Sequence, residues 1–272
     1  MRKSWPFVSF LCGIATAFLL IAIVPRDEEP PDPNIVETVV ASRNVIISLP
    51  EGYRHDATNR YPVLYVLDGS SQTTPTAESA RLLARIGAIP EVIVVGIPSS
   101  DENRALDYTP PYMKLDADKN EFGQADRFLR FLEADLFPFI ERQYRTTNAR
   151  MLAGNSRGGL FVVYSLLEKP NLFNARFAFS PALWRDDQRI VTELRRGQIT
   201  RPTFLYLSLG DAENPKMTGA FRHAVATLHA SAPATLRWRA DITRGANHSS
   251  NARLSTPVGL YAYYKTVGRS QQ

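Results

Sequence analysis

The stretch that decides the fold of this chain is Gly154-Asn155-Ser156-Arg157-Gly158-Gly159. It lies between the apolar run Met151-Leu152-Ala153, which predicts a strand, and the run Leu160-Phe161-Val162-Val163-Tyr164, which predicts a helix. A G-x-S-x-G turn between a strand and a helix holds its serine in a strained backbone conformation, and the small residues on either side let the two elements approach closely. The pattern predicts Ser156 as a nucleophile beside a helix N-terminus. The alternative is a serine in an ordinary glycine-rich turn.

A serine nucleophile of this kind needs a histidine as its base, and in this arrangement the histidine follows both the nucleophile and the acid along the chain. His55 precedes the serine turn in a polar loop, whereas His223 and His229 lie within the helix-like stretch 216–230. His248 lies in a loop between the last strand-like run and the C-terminal helix-like stretch. We therefore predict His248 as the base, the alternative being a solvated loop histidine.

The acid that orients the histidine is expected at the end of the preceding strand, which the aliphatic and aromatic run Thr203–Leu209 predicts. Asp211 stands directly after Gly210, where an aspartate commonly satisfies the backbone of a turn. Glu213 lies farther round the loop and has the longer side chain, so we favour Glu213 as the acid and keep Asp211 as the second choice. The other carboxylate is expected to cap a helix or to stabilise the turn.

The rest of the chain predicts an α/β protein. Strand-like runs recur at Asn44–Leu49, Val63–Leu67, Val92–Gly96, Arg150–Ala153, Ala175–Ser180, Thr203–Leu209 and Leu236–Ile242. Helix-like stretches separate most of these runs, and this alternation predicts a mostly parallel central sheet with helices on both faces. The amphipathic stretch 123–144 is predicted to be a helix packed on the core. The 272 residues suffice for one such domain and contain no internal repeat.

Further motifs occur in an order that is typical of a known family. Besides the serine turn and the His248 loop, they are Leu49–Tyr53 (LPEGY), Tyr61–Gly69 (YPVLYVLDG), Arg104–Pro110 (RALDYTP), Phe179–Trp184 (FSPALW) and Gly210-x-x-Glu213. With these motifs the chain resembles the esterase D and enterochelin-esterase-like branch of the α/β-hydrolase superfamily, over nearly everything after its N-terminal segment. The resemblance implies the α/β-hydrolase fold and supports Glu213 as the acid. The sequence departs from it at Asn155, where many relatives have histidine.

The resemblance also locates an oxyanion hole and a substrate pocket. One oxyanion donor is the N–H of Arg157, directly after the nucleophile, and the other is the backbone of Gly69 or Ser70 after the predicted strand 63–67. The candidates to line the pocket are Arg104, Tyr108, Tyr112 and Trp184. The alternatives are an ion pair of Arg104 with Asp107 that only fixes the loop, and a place in the core for Trp184.

The activity that the resemblance implies is hydrolysis of carboxylic esters. Ser156 would attack the ester carbonyl, His248 would take and return the proton, and Glu213 would hold the imidazole in the right tautomer. Siderophore, acyl and feruloyl esters are substrates within the family. Two alternatives remain open: an acyltransferase that uses the same triad, and a non-catalytic cell-envelope binding protein on a hydrolase scaffold. No cofactor is implied.

The N-terminal segment, residues 1–25, sets the expected compartment. Arg2 and Lys3 precede an uncharged apolar run over residues 5–25, which is long enough to span a bilayer. A proline-rich linker over 26–34 and the catalytic domain over 35–272 are expected to follow. Basic residues before the run and acidic residues after it favour a body exported to the periplasmic face of the inner membrane. The run ends without a small-x-small site, so we favour an anchor over a cleaved signal, which would leave a periplasmic or secreted protein.

Composition argues against several other functions. The formal net charge is +5, but the basic residues are dispersed among acidic ones, so the expected partners are a small-molecule ester and the membrane, not a nucleic acid. Cys12 is the single cysteine and lies in the N-terminal apolar run, which leaves the body without disulfides or metal–thiolate chemistry. No His-x-x-x-His spacing occurs, and we predict no metal site.

Overall fold

The structure of the protein is a computed structural model that describes residues 32–116, 120–195 and 198–269. In this part of the chain eight strands form one sheet: β1 (Ile35–Val40), β2 (Arg43–Ser48), β3 (Tyr61–Leu67), β4 (Ile93–Ile97), β5 (Thr146–Asn155), β6 (Ala175–Phe179), β7 (Thr203–Gly210) and β8 (Leu236–Thr243). Their order across the sheet is β1-β2-β4-β3-β5-β6-β7-β8. The pairs β1–β2 and β2–β4 are antiparallel and the other neighbours are parallel. The predicted α/β class with a mostly parallel sheet is confirmed.

Helices cover both faces of this sheet. In the described residues they are α1 (Gly69–Arg85), α2 (Asp101–Tyr108), α3 (Ala125–Phe131), α4 (Phe137–Gln143), α5 (Arg157–Glu168), α6 (Arg189–Leu194), α7 (Pro215–Ser231) and α8 (Asn251–Arg269). In β3, Tyr65 and Leu67 belong to the apolar cluster that includes α2 to α7, whereas Leu64 and Val66 belong to the cluster with α1 and α8. Since a parallel strand is buried on both faces, its sequence is a continuous apolar run.

The parallel strands bring the predicted functional residues to one edge of the sheet. Ser156 follows β5, Glu213 lies in the loop after β7, and His248 lies in the loop after β8. Because β5, β6, β7 and β8 run parallel, their carboxyl ends share that edge. Ligand sites of open α/β sheets lie outside the carboxyl ends of the strands.

Strand β1 was not predicted from the sequence. Its residues alternate between exposed and half-buried positions, with Glu37 and Thr38 in its centre. It pairs on one side only, with β2, at the margin of the sheet. An edge strand of this kind has no continuous apolar run, so hydrophobic periodicity gives a weak signal for it.

The stretch 123–144 packs on the core as predicted, but it is not one uniform helix. A π-helical turn, Leu132–Leu136, separates α3 from α4. Pro138 stands near the start of α4. In an uninterrupted α-helix this proline would remove one hydrogen bond and its ring would crowd the carbonyl four residues earlier. The wider π turn accommodates the proline while Leu132, Leu136 and Ile140 stay fully buried.

The predicted N-terminal anchor or signal segment lies outside the described residues, as does the linker up to residue 31. Among the helices of the described ranges, none combines the length and the apolar character that crossing a bilayer requires.

Candidate active site

The backbone of Ser156 adopts a conformation that non-glycine residues rarely occupy, with φ 57° and ψ −115°. Three backbone hydrogen bonds hold it there. Its N–H donates to the carbonyl of Phe179 (3.0 Å), and its carbonyl accepts from the N–H groups of Leu160 (3.0 Å) and Ala182 (2.9 Å). Strain of this kind persists only where the surroundings enforce it, and it is common at active sites.

Two glycines of the turn are required by close backbone approaches. A Cβ atom at Gly154 would lie 2.6 Å from the carbonyl group of Gly158, and one at Gly159 would lie 2.9 Å from the Cα atom of Pro181. A Cβ atom at Gly158 would find its nearest neighbours at 3.5 Å, an ordinary contact. The small residues therefore bring β5, α5 and the segment after β6 together around Ser156.

His248 pairs with Glu213. The imidazole Nδ1 lies 3.0 Å from Glu213 Oε2, and the Glu213 side chain is completely buried, whereas that of His248 is 44% exposed. An ionised carboxylate can only accept hydrogen bonds, so Nδ1 carries the proton and Nε2 keeps its lone pair. This tautomer is the one that a general base requires.

Asp211 lies elsewhere in the same loop and does not contact the histidine. It is exposed, and its Oδ1 accepts a hydrogen bond from the N–H of Gly245 (2.9 Å). Gly245 has a positive φ of 73° in the turn after β8. Asp211 thus stabilises this turn.

The hydroxyl of Ser156 has no hydrogen-bond partner within the described part of the chain, and none joins it to His248. Ser156 is half-buried, at the edge of the sheet where His248 also lies. Hydrogen bonds between a nucleophile and its base are often long until substrate binds. A hydrogen bond therefore joins His248 to Glu213. Ser156 lies at the same edge of the sheet but forms no hydrogen bond with His248.

Two helix N-termini supply backbone donors at this edge. Arg157 is the first residue of α5, and Gly69 and Ser70 are the first residues of α1. The first N–H groups of a helix have no acceptor within the helix, so these donors are available to an oxyanion. A Cβ atom at Gly69 would lie 2.5 Å from the backbone nitrogen of Ile97, so the tight start of α1 requires glycine.

The predicted pocket residues differ in their exposure. Tyr108 is completely buried, and its hydroxyl contacts Ser99 Oγ (2.8 Å) and accepts from the N–H of Asp68 (3.3 Å). Its ring therefore cannot line an open pocket, which corrects the sequence prediction. Burial raises the pKa of the Tyr108 hydroxyl, so it stays neutral.

Tyr112 and Trp184 are half-buried and each contacts a cation. The guanidinium carbon of Arg189 lies 4.3 Å from the centre of the Tyr112 ring, and Lys216 Nζ lies 4.2 Å from the centre of the Trp184 ring. Such contacts hold cations against aromatic faces. Trp184 packs against the core but is not enclosed by it.

Arg104 pairs with the carboxylate of Asp68, the residue directly before Gly69. The alternative partner considered from the sequence, Asp107, pairs instead with Arg43.

A polar cavity of about 310 Å³ adjoins the ion pair of Arg104 and Asp68, and Asp68, Ser70, Arg104 and Asn155 are among its lining residues. A larger cavity of about 850 Å³ lies away from the serine, between β8 and α8. The smaller cavity reaches the turn that carries Ser156 through Asn155, whereas the larger one does not.

Sequence reasoning missed the side chain of Arg157. Its guanidinium donates to Thr109 Oγ1 (3.0 Å) and forms no ion pair with a carboxylate of the described residues. Burial, with the nearby charges of Arg185 and Arg104, lowers the pKa of the Arg157 guanidinium to about 10. The guanidinium of Arg185 is held by the carbonyls of Lys114 (3.0 Å) and Leu115. The pair Arg157 and Arg185 adds positive charge beside Ser156, and the nearby carboxylate of Asp116 opposes it in part.

Two buried polar residues behind Glu213 were also missed. Ser180 and Asn251 are completely buried, and both belong to a hydrogen-bond network that ends on the Glu213 carboxylate. The sequence placed Ser180 at the end of a predicted strand and within a family motif, and this position at the carboxyl edge of the sheet was a usable signal.

These features define an α/β protein with a strained serine at a strand–helix turn and a His–Glu pair at the same sheet edge. The chain belongs to the "Putative esterase" family, which it matches over residues 37–251.

Curated relatives support this placement. Ferri-bacillibactin esterase BesA of Bacillus subtilis is 37% identical over 139 residues, which are 45% of this chain and 48% of that protein. Siderophore enterobactin esterase of Emericella nidulans is 31% identical over 153 residues, which are 49% of this chain and 50% of that protein. The chain spans about half the length of these curated relatives.

Solved structures share the fold. An IroE-like serine hydrolase from Shewanella oneidensis superposes with a TM-score of 0.76 and 28% identity, covering 85% of this chain and 80% of that one. The BES protein from Bacillus cereus superposes with a TM-score of 0.76, covering 88% of this chain and 98% of that one. At 23% identity the second likeness supports the fold alone.

Proposed function

We propose that this protein is a serine esterase that hydrolyses carboxylic esters, with Ser156 as nucleophile, His248 as base and Glu213 as the orienting acid. The observation that carries the proposal is the hydrogen bond between His248 Nδ1 and the buried Glu213 carboxylate (3.0 Å), at the sheet edge where Ser156 stands in a strained turn. The family and the names of the curated relatives support the same chemistry.

In the proposed reaction, Ser156 Oγ attacks the ester carbonyl while His248 Nε2 takes the hydroxyl proton. The carbonyl oxygen becomes an oxyanion, which the N–H of Arg157 and an N–H at the start of α1 stabilise. His248 returns the proton to the departing alcohol, which leaves an acyl-enzyme. Water then attacks the acyl carbon, His248 takes its proton, and the acid is released as Ser156 regains its hydrogen.

We further propose that the substrate is an anionic ester of the siderophore class. The support is the half-buried charge of Arg157 next to Ser156, with Arg185 and Arg104 close enough to lower its pKa and the Asp116 carboxylate acting in the opposite direction. A half-buried cation that forms no ion pair with a carboxylate of the described residues favours a negatively charged ligand. The relatives named for bacillibactin and enterobactin esters agree with this chemistry.

The location of the enzyme is also a proposal. We propose that residues 5–25 anchor the protein in the inner membrane and that the catalytic domain, residues 35–272, faces the periplasm. Support comes from the uncharged apolar run and from the basic residues that precede it.

Labelling with a fluorophosphonate probe, on full-length protein in detergent, tests the proposed activity. The wild type should react, whereas Ser156→Ala should not, and both Ser156→Ala and His248→Ala should lower kcat for p-nitrophenyl acetate by about 10⁴-fold or more. Ser249→Ala is the matched control, because Ser249 neighbours His248 in an exposed loop and its hydroxyl has no role in the proposal. Normal turnover in folded Ser156→Ala would disprove the proposal. Ester exchange with an added alcohol in place of hydrolysis would indicate an acyltransferase.

A further inference from the structure

The Glu213 carboxylate has three hydrogen-bond donors, one of which is a buried hydroxyl. Oε2 accepts from His248 Nδ1 (3.0 Å) and Oε1 accepts from the N–H of Gly210 (3.2 Å) and from Ser180 Oγ. Ser180 is itself completely buried and has a positive φ of 42°. A buried serine in this backbone region indicates a position fixed by its surroundings.

The direction of the Ser180 hydrogen bond is set by Asn251, the first residue of α8. The amide Nδ2 of Asn251 lies 2.9 Å from Ser180 Oγ and 3.0 Å from Ser208 Oγ. An amide nitrogen can only donate, so Ser180 Oγ accepts from it. The hydroxyl hydrogen of Ser180 is then left for Glu213.

The same direction continues behind Asn251. Ser255 Oγ donates to Asn251 Oδ1 (2.8 Å), so its contact with Thr243 Oγ1 (2.7 Å) must be an accepted hydrogen bond. Thr243 therefore donates to Ser255, Ser255 to Asn251, Asn251 to Ser180, and Ser180 to the Glu213 carboxylate. All four hydrogen bonds run in one direction, toward the carboxylate. Hydrogen bonds that run in one direction polarise and strengthen one another.

We propose that Ser180, oriented by Asn251, is a positioning residue that holds the Glu213 carboxylate in line with His248. This inference rests on the proposed function. Glu213 lies on a loop, and its contact with Ser180 ties that loop to the end of β6. Without Ser180, Oε1 would keep only the Gly210 N–H, and the carboxylate would be free to rotate away from Nδ1.

A matched pair of variants separates positioning from mere structural support. Ser180 and Ser208 are both completely buried, and both accept a hydrogen bond from Asn251 Nδ2, but only Ser180 contacts Glu213. Ser180→Ala should lower kcat for p-nitrophenyl acetate by about 10- to 100-fold with KM within about 2-fold, because a hydrogen bond to a charged group is lost. Ser208→Ala should lose comparable thermal stability while kcat stays within about 2-fold.

Two further variants complete the test. Asn251→Asp has nearly the same shape but places an acceptor where the donor stood, so the Ser180 hydroxyl turns toward residue 251 and kcat should fall. In a Glu213→Ala background, Ser180→Ala should cause no further loss, because the carboxylate on which it acts is gone. If Ser180→Ala does not fold, Asn251→Asp decides.

Equal losses of kcat in Ser180→Ala and Ser208→Ala, or unchanged kcat in Ser180→Ala and Asn251→Asp, would overturn the positioning role. Ser156→Ala assayed in parallel reports on the proposed function separately. Turnover that survives in Ser156→Ala rejects the esterase, whereas turnover that depends on Ser156 but not on Ser180 rejects this inference alone.

Discussion

Arg104 holds the carboxylate of Asp68 through two parallel hydrogen bonds, with Nε 2.6 Å from Oδ1 and Nη2 2.9 Å from Oδ2. Nη2 also donates to the carbonyl of Asn155 (3.3 Å), the residue before Ser156. Asp68 has a left-handed backbone and directly precedes the first N–H groups of α1. The guanidinium thus links the start of α1 to the turn that carries Ser156.

We predict that Arg104→Lys lowers kcat by about 10- to 100-fold with little change in KM, because an ammonium group cannot make both bonds and the α1 donors shift relative to the oxyanion. Steady-state kinetics with p-nitrophenyl acetate checks this. A rise in KM at constant kcat would instead support the substrate-binding role that the sequence indicates.

Arg43→Lys is the control for Arg104→Lys. Arg43 also makes two hydrogen bonds with one carboxylate, from Nη1 (2.5 Å) and Nη2 (2.9 Å) to Asp107, and its side chain is equally exposed, at 26% for each arginine. This variant should alter stability without a specific loss of kcat, since Asp107 does not adjoin the serine turn.

The two carboxylates after β7 should respond differently to amide substitution. Glu213→Gln is expected to lower kcat by about 10²- to 10⁴-fold, because an amide does not stabilise the imidazolium formed in the transition state. Asp211→Asn should leave kcat near normal and change the unfolding free energy by at most about 1 kcal/mol, since an amide oxygen can still accept from Gly245. Kinetics and thermal melts check both. Loss of activity in Asp211→Asn with an active Glu213→Gln would show that the acid lies two residues earlier.

The proposed affinity for anionic esters should depend on pH through Arg157. Its pKa of about 10 lies below the usual arginine value, and a base carries its charge below its pKa, so the cation is present at neutral pH and is lost as pH rises through about 10. KM for an anionic ester should therefore stay flat near neutrality and rise above pH about 10, after subtraction of spontaneous hydrolysis.

Arg157→Gln keeps the backbone oxyanion donor and removes the charge, so it serves as the comparison. This variant should show a raised KM for the anionic ester at all pH values, and its KM should be unchanged for a neutral ester of similar size. Equal KM changes for both esters would indicate a steric role for Arg157.

If residues 5–25 span the membrane uncleaved, the full-length protein should stay in the membrane fraction after carbonate or high-salt washing, because charge screening does not extract a buried apolar helix. Fractionation and mass determination check this. A shortened protein in the soluble fraction would identify the segment as a cleaved signal.

The sequence by itself determined the fold class and the strand–helix turn that carries Ser156. Both depend on local signals: apolar runs of strand length, and small residues spaced around Ser156 between a strand and a helix. The order of the chain also limited the predicted base to His248, since the other histidines lie in helices or before the turn. These features are visible in sequence because neighbouring residues alone produce them.

Tertiary structure decided how distant residues pair. Asp68 and Asp107 each have an arginine partner that sequence distance does not reveal, with Arg104 and Arg43 respectively. Arg176 makes the point most clearly. It is completely buried in β6 and donates to Thr203 Oγ1 (3.1 Å), a residue 27 positions farther along the chain on the neighbouring strand β7, and burial lowers its pKa to about 9.

The hydrogen-bond partners of Glu213 likewise could not be predicted from the sequence. The contact between Ser180 and Glu213 joins residues separated by 33 positions, and that between Asn251 and Ser180 spans 71. Periodicity reports which face of an element is apolar, but the partner of a buried polar group is chosen by which strands lie side by side. Sheet order therefore determined the hydrogen-bond network behind Glu213, whereas the local sequence pattern determined the turn around Ser156.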